Sequence, residues 1–363
     1  MTLRERIGEW YARVRALVIL YERRAALLGL IVGFVFDLLF FQRVDSFFEN
    51  VVIILQLALG IAAVVLAHVA TAPYRIAPYV RKIVPFLPFL MQFAIGGLFG
   101  KYLIFYGRSG TVLGSWPFLL LLVVLTVLNE YWRDRYKRLD FRLALLFVGL
   151  LGYTVFALPI LTKTLGAWTF VASGFIALFV MALVLALVRQ VAHDVTHREW
   201  WRLYMIVAGI FVVMNGLYFT NTIPPIPLAL KEIGVYHSVE RVGDTYIALG
   251  EDEPWYKPGT TYHKQAGEGV AVFAAVFAPS ALKTTIIHRW EHKQNGAWQE
   301  RARIPIAIAG GRDGGYRGYS RLGNPSPGPW RVSVLTLRGQ VLGRLTFEVV
   351  EAEANLPLIE ERL

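Results

Sequence analysis

Cysteine is absent from this 363-residue sequence, which excludes disulfides, thiolate metal sites and a cysteine nucleophile. A cleavable leader is not visible either, because residues 1–24 are charged and no small-residue cleavage site follows. Long hydrophobic runs are missing from residues 233–363, whereas residues 25–222 hold nearly all of them. No internal repeat is present.

What is abundant is apolar side chain. Hydrophobic residues make up 56% of the chain and the mean hydropathy is +0.49, above the roughly 45–50% apolar content of soluble domains. The two parts therefore face two solvents. The formal net charge of +11 is also uneven. Residues 1–232 carry 22 Lys and Arg against 12 Asp and Glu, and residues 233–363 carry 15 against 14. A basic excess confined to the apolar part reads as loop charge of a membrane protein, not as a nucleic-acid surface.

Seven spans are expected, at 25–41, 51–70, 83–105, 112–132, 142–160, 167–188 and 203–220. Each approaches the ~20 residues that cross about 30 Å of hydrocarbon, where only helices satisfy every backbone group. Loops on one side hold 17 basic residues, including Arg75, Arg138, Arg142 and Arg202, against four on the other. That bias places the N-terminus in the cytoplasm of a bacterial inner membrane and the C-terminal part in the periplasm. Tyr102, Tyr106, Trp116, Tyr131, Trp132, Trp168, Trp200, Trp201, Tyr204 and Tyr218 read as an interfacial belt. Residues 1–24 read as an amphipathic segment on the inner surface.

Residues 223–232 open with Pro224, Pro225 and Pro227, which bar helix continuation and stiffen the connection. Beyond it the periodicity becomes two. Strands are expected at 235–240, 245–249, 269–277, 284–293, 298–308, 316–321, 330–337 and 341–350. Asn295-Gly296 and Arg338-Gly339-Gln340 supply hairpin turns. The expected architecture is a helical membrane domain over 25–222, a linker over 223–232, a small all-β sandwich-like domain over 233–350 and a tail over 351–363.

The β-part carries a recognisable series: His288-Arg-Trp290, Trp298, Tyr316-Arg317-Gly-Tyr-Ser320, Gly328-Pro-Trp330-Arg-Val332, Gly339-Gln-Val-Leu342-Gly343 and Phe347-Glu-Val349. It resembles the bacterial "domain of unknown function 2914" family over about residues 235–350. The resemblance implies a discrete envelope domain following membrane helices and implies no reaction.

Candidate chemistry is sparse. Gly107-Arg108-Ser109-Gly110 matches the G-x-S-G string of rhomboid proteases. A serine nucleophile needs a nearby base, and no histidine falls in spans five or six. A glycine-flanked turn is the better account. His193, Asp194 and His197 fail the H-E-x-x-H pattern. His288, Trp290 and His292 share one strand face, open to a sugar or peptide if exposed and simple core if inward. Arg317, Ser320 and Trp330 complete this ligand-binding candidate set, with a structural hydrogen-bond role equally open for Arg317 and Ser320. Gly310–Gly315 reads as a flexible loop without the pattern of a phosphate loop. Inside the spans, Asp37, Lys101 and Asn215 are the polar candidates, and Asp37 is expected to pair with Lys101.

No catalytic residue, metal ligand or cofactor is assigned. The expected function is a non-enzymatic envelope protein whose outer domain binds a partner protein or an envelope glycan. A transporter or lipid-handling protein with a polar path near Asp37 is the alternative.

Overall fold

The computed structural model describes residues 35, 37–40, 44–69, 87–109, 112–131, 138–192, 195–225, 227–243, 245–251, 260–280, 282–310, 314–352 and 357–363. The amphipathic segment at 1–24, most of the first expected span, Trp132, His193 and Asp194 lie outside them.

Residues 37–40 are helical. Six bounded helices follow: α1 (Phe47–Val69), α2 (Leu87–Arg108), α3 (Val112–Tyr131), α4 (Leu139–Thr162), α5 (Ala167–Val191) and α6 (His197–Phe219). Four of them, α1, α4, α5 and α6, are long and apolar enough to cross a membrane. The expected seven spans are thus reduced to four among the described residues. Within α3 the apolar stretch among the described residues is Ser115–Asn129. Helix α5 shows why such helices need lipid. Phe175, Phe179, Leu183 and Leu187 recur every fourth residue and are all exposed, a stripe that water would not tolerate.

Not all the expected belt residues are anchors. Trp116, Trp168 and Trp201 are exposed, but Tyr102, Tyr106 and Trp200 are buried. Tyr102 packs so tightly on α4 that its ring would meet a side chain at Gly152, and its hydroxyl donates to the Gly149 carbonyl at 2.7 Å.

The chain divides into two compact units. The first holds Met1–Ile104, Leu120–Gly152 and Ala177–Ile210. The second holds Phe105–Leu119, Tyr153–Ile176 and Phe211–Leu363, so the strands share a unit with one end of α2 to α6.

Eleven strands are described: β1 (Ala229–Tyr236), β2 (Ser238–Val242), β3 (Thr245–Glu251), β4 (Thr260–Lys264), β5 (Val270–Phe277), β6 (Lys283–Gln294), β7 (Ala297–Ala309), β8 (Tyr316–Leu322), β9 (Gly328–Thr336), β10 (Val341–Glu351) and β11 (Leu358–Arg362). They form sheets ordered β1-β5-β8, β4-β10-β9-β6-β7 and β11-β3-β2. Strand β5 explains the layering. Its sequence is apolar at every position and it is buried throughout, as a strand covered on both faces must be. Val270, Val272, Ala274 and Val276 pack with residues of β6, β9 and β10. Ala271, Phe273 and Ala275 pack with Val239, Tyr246 and Ala248 of β2 and β3. The domain is therefore a sandwich with an added third sheet.

Strand β1 starts at Ala229, inside the segment read as linker, and β11 falls inside the segment read as tail. The Asn295-Gly296 turn joins β6 and β7 with both residues at positive φ, 52° and 79°, the geometry that favours this pair.

Candidate functional site

The second unit fixes its strands to its helix ends through several bonds. Asn221, at φ 58°, ends α6 in the left-handed conformation. The Ile223 carbonyl accepts the Gln340 amide at 2.9 Å. The Arg338 guanidinium lies 4.0 Å from the Tyr218 ring centroid. At the other end of the linker, the Ser109 hydroxyl donates to the Leu228 carbonyl. This occupies the serine of the G-x-S-G string in a structural bond.

The inward face of β6 is packed. Trp290 and His288 are fully buried, and His292, Ser320 and Trp330 are nearly so. Ser320 on β8 lies 2.9 Å from His288 Nδ1 and accepts the Trp290 indole N–H at 3.0 Å. One hydroxyl thus joins two sheets through the core. Burial draws the His288 imidazole down to about 4. His292 stacks on Trp330 at 4.5 Å. Arg317 donates to the Leu363 carbonyl at 2.9 Å, and its own carbonyl accepts the Tyr246 hydroxyl. The six sequence candidates therefore do not form one open surface: five belong to the interior, and Arg317 ties down β11.

The outward face of the same sheet has a different character. Registers place Arg344, Ser333, Arg289 and Arg303 in one row across β10, β9, β6 and β7. The neighbouring row carries Thr346, Arg331, Glu291 and Glu300. Arg331 donates through Nε and Nη2 to the two Glu291 oxygens, both at 2.7 Å. Arg289 Nε lies 3.3 Å from Glu291 Oε2. Arg344 Nε donates to Ser333 Oγ at 3.0 Å. Burial would raise the Glu291 carboxyl, but Arg331, Arg289 and Arg344 hold it below the usual carboxylate range. Burial and the nearby positive charges of Arg331 and Arg289 in turn draw Arg344 down, against Glu291. Two guanidiniums thus pair with one carboxylate, and the charge of a third, Arg344, lies near it. Arg331 also sits 4.4 Å from the Trp298 ring and Lys293 5.9 Å from it. Such a face can recognise carboxylates or phosphates in planar, paired fashion.

Residues 283–349 match the model of the family described as protein of unknown function DUF2914. The match is narrower than the 235–350 read from the residues. This DUF2914 segment runs from β6 through β10, so it contains the arginine rows and five of the six sequence candidates along with Arg317. No curated protein matches the chain. Among solved structures, a β-glucosidase from Listeria innocua bound to glucose is 14% identical, with 33% of this chain and 16% of that chain covered and a TM-score of 0.19. The chain thus spans about a sixth of that enzyme's length. The Pseudomonas fluorescens alkylpurine DNA glycosylase AlkC, bound to DNA containing an abasic site analog, is 11% identical over 85% of this chain and 99% of that one, with a TM-score of 0.20. At these scores neither likeness carries an argument.

The arginine rows of the DUF2914 segment were not singled out from the sequence. Their signal was the period-two alternation Trp330-Arg331-Val332-Ser333-Val334 beside Arg289, Glu291 and Lys293; the cross-strand register that assembles them was not legible.

Outside the segment, Asp37 and Lys101 are brought together, with Nζ 3.1 Å from Oδ1 and both side chains buried. Lys101 also donates to the Gly97 carbonyl at 3.3 Å. Asn215 makes a local bond to the Phe211 carbonyl of its own helix. Among the described residues, no group of three His, Cys, Asp or Glu could hold a metal ion.

Proposed function

We propose that this chain is a multi-pass inner-membrane protein that presents its β-domain in the periplasm and recognises an acidic partner protein there, without catalysing a reaction. In this reading α2, α3 and the helix that includes residues 37–40 also cross the bilayer, and the helix ends rich in basic residues stay inside. The observation that carries it is the outward sheet face, where Arg289, Arg331 and Arg344 surround the single Glu291 beside Trp298. Arg and Trp are the side chains that dominate protein recognition sites. The indole already lies against Arg331, so it is less available to stack on a sugar ring, which favours a protein over a neutral glycan.

The test is capture from the native envelope with the full chain in mild detergent. An acidic protein retained by the parent, and lost with Arg344→Glu and Arg303→Glu, supports the reading. Retention of an acidic polysaccharide with the same dependence shifts the reading to the glycan. Capture that ignores both reversals refutes it.

A second reading, a transporter, is favoured by the buried Asp37–Lys101 pair. Ion pairs inside apolar helices often mark substrate or proton paths. Flux of any solute that is lost in a folded Asp37→Asn variant would establish it.

A further inference from the structure

The first unit contains a cavity of about 430 Å³ unrelated to the β-domain. It opens among the end of α1 and the starts of α4 and α6, and among the described residues its charged lining is His68, Arg138, Asp140, Arg142, Glu199 and Arg202. The two carboxylates are already engaged. Asp140 accepts Arg138 at 2.8 Å, Arg202 at 3.1 Å and the Phe141 amide at 2.9 Å. Glu199 accepts the Thr196 amide and hydroxyl, both at 2.9 Å, an N-terminal capping arrangement for α6.

Arg142 is different. It is 9% exposed, and its Nε is buried without a hydrogen-bond partner. A guanidinium withdrawn from water with an unmet N–H is costly unless an anion meets it. Three guanidiniums line a space large enough for a substituted phosphate; Arg138 and Arg202 are partly neutralised by Asp140, which leaves the unmet N–H of Arg142 as the group that calls for an anion. Next to Arg202, Trp201 and Tyr204 are exposed on α6, the side chains that settle at headgroup level in a bilayer.

We propose that this cavity is a phosphate-binding site, with Arg142 as its central donor and Arg138 and Arg202 at its rim. The phosphate is that of an anionic lipid headgroup or a free phosphate ion, and the two sources separate by experiment. Basic pockets between membrane helices recognise headgroups through this chemistry.

The full chain in mild detergent is titrated with inorganic phosphate, with dihexanoyl phosphatidylglycerol and with dihexanoyl phosphatidylcholine. Tryptophan fluorescence reports thermal unfolding, because a ligand of the folded state raises the midpoint. Stabilisation by phosphatidylglycerol alone assigns a lipid. Stabilisation by phosphate as well assigns the ion. In either case Arg142→Gln weakens apparent affinity about tenfold or more, and Arg142→Lys retains part of it. Should Arg142→Gln not fold, the doubly substituted Arg138→Gln, Arg202→Gln chain provides the comparison, since both side chains are about half exposed. The proposal is overturned if neither phosphate compound stabilises the protein, if the two lipids act alike, or if the folded variants bind as the parent does.

Discussion

Lys101 on α2 reaches Asp37, 64 residues earlier in the chain, with its ammonium 3.1 Å from one carboxylate oxygen and 3.2 Å from the other. Both side chains are buried, and the Gly97 carbonyl takes a further ammonium proton. A Cβ added at Gly97 would meet only the terminal amide of the flexible Gln56 side chain. The pair is a closed arrangement with its charges matched. Asp37→Asn leaves the ammonium alone in apolar surroundings and costs about 3–5 kcal/mol, whereas Asp37→Leu combined with Lys101→Met recovers most of that loss. Denaturant unfolding in detergent measures both. A mild effect of Asp37→Asn would show that water reaches the pair.

Arg338 stacks on Tyr218 and holds the β9–β10 turn against the end of α6. Arg338→Ala removes that stack, worth about 1 kcal/mol or more when desolvated. The expected result is faster proteolysis between residues 221 and 228, with the strands themselves still resistant. Unchanged cleavage would mean that the Gln340–Ile223 bond holds the linker by itself.

His288 makes the β-domain sensitive to acid. Burial draws its imidazole down to about 4, while the unfolded chain takes up the proton near 6.5. Stability contributed by the neutral ring is present above about pH 6.5 and is lost as pH falls towards 4, because only the unfolded state gains a proton in that window. The loss amounts to about 3 kcal/mol across the full window. Replacing His288 by Leu should flatten the dependence between pH 6.5 and 4. An equal slope in both chains, measured by chemical unfolding, would contradict the assignment.

The glycine-rich loop contains two positions that need glycine for different reasons. A Cβ at Gly310 would collide with the Pro279 carbonyl oxygen, and Gly315 sits at φ 89° against the Val276 backbone. Gly310→Ala is expected to cost about 2–4 kcal/mol, as backbone must move. Gly314→Ala has only Arg317 Nη2 nearby, at 3.7 Å, and is expected to change stability by under about 1 kcal/mol. Melting temperatures of the two variants decide it.

Much of this was legible in the sequence for identifiable reasons. Asp37 and Lys101 stood out because charge inside an apolar run needs a partner. Asn295-Gly296 announced its turn through the backbone conformations it tolerates. Strand β5 was visible as an apolar run, but nothing local indicated that both its faces are covered. Strands β4 and β11 were missed because each has five residues and pairs remotely, β4 in parallel with β10 and β11 with β3. Arg142 looked like one more loop cation, and only the packing around α4 distinguishes it from Arg138. The alternation of His288, Trp290 and His292 left core and binding surface both open for that face, and the arginine rows required the register of four strands.

The account turns on the arginine face being outside the membrane and open to a partner. The absence of cysteine makes one measurement direct. Arg303→Cys places a single thiol on that face, to be labelled by a membrane-impermeant maleimide in spheroplasts without lysis. The account predicts labelling in intact spheroplasts that slows when the captured acidic partner is added back. Labelling only after lysis, or labelling indifferent to the partner, would contradict it.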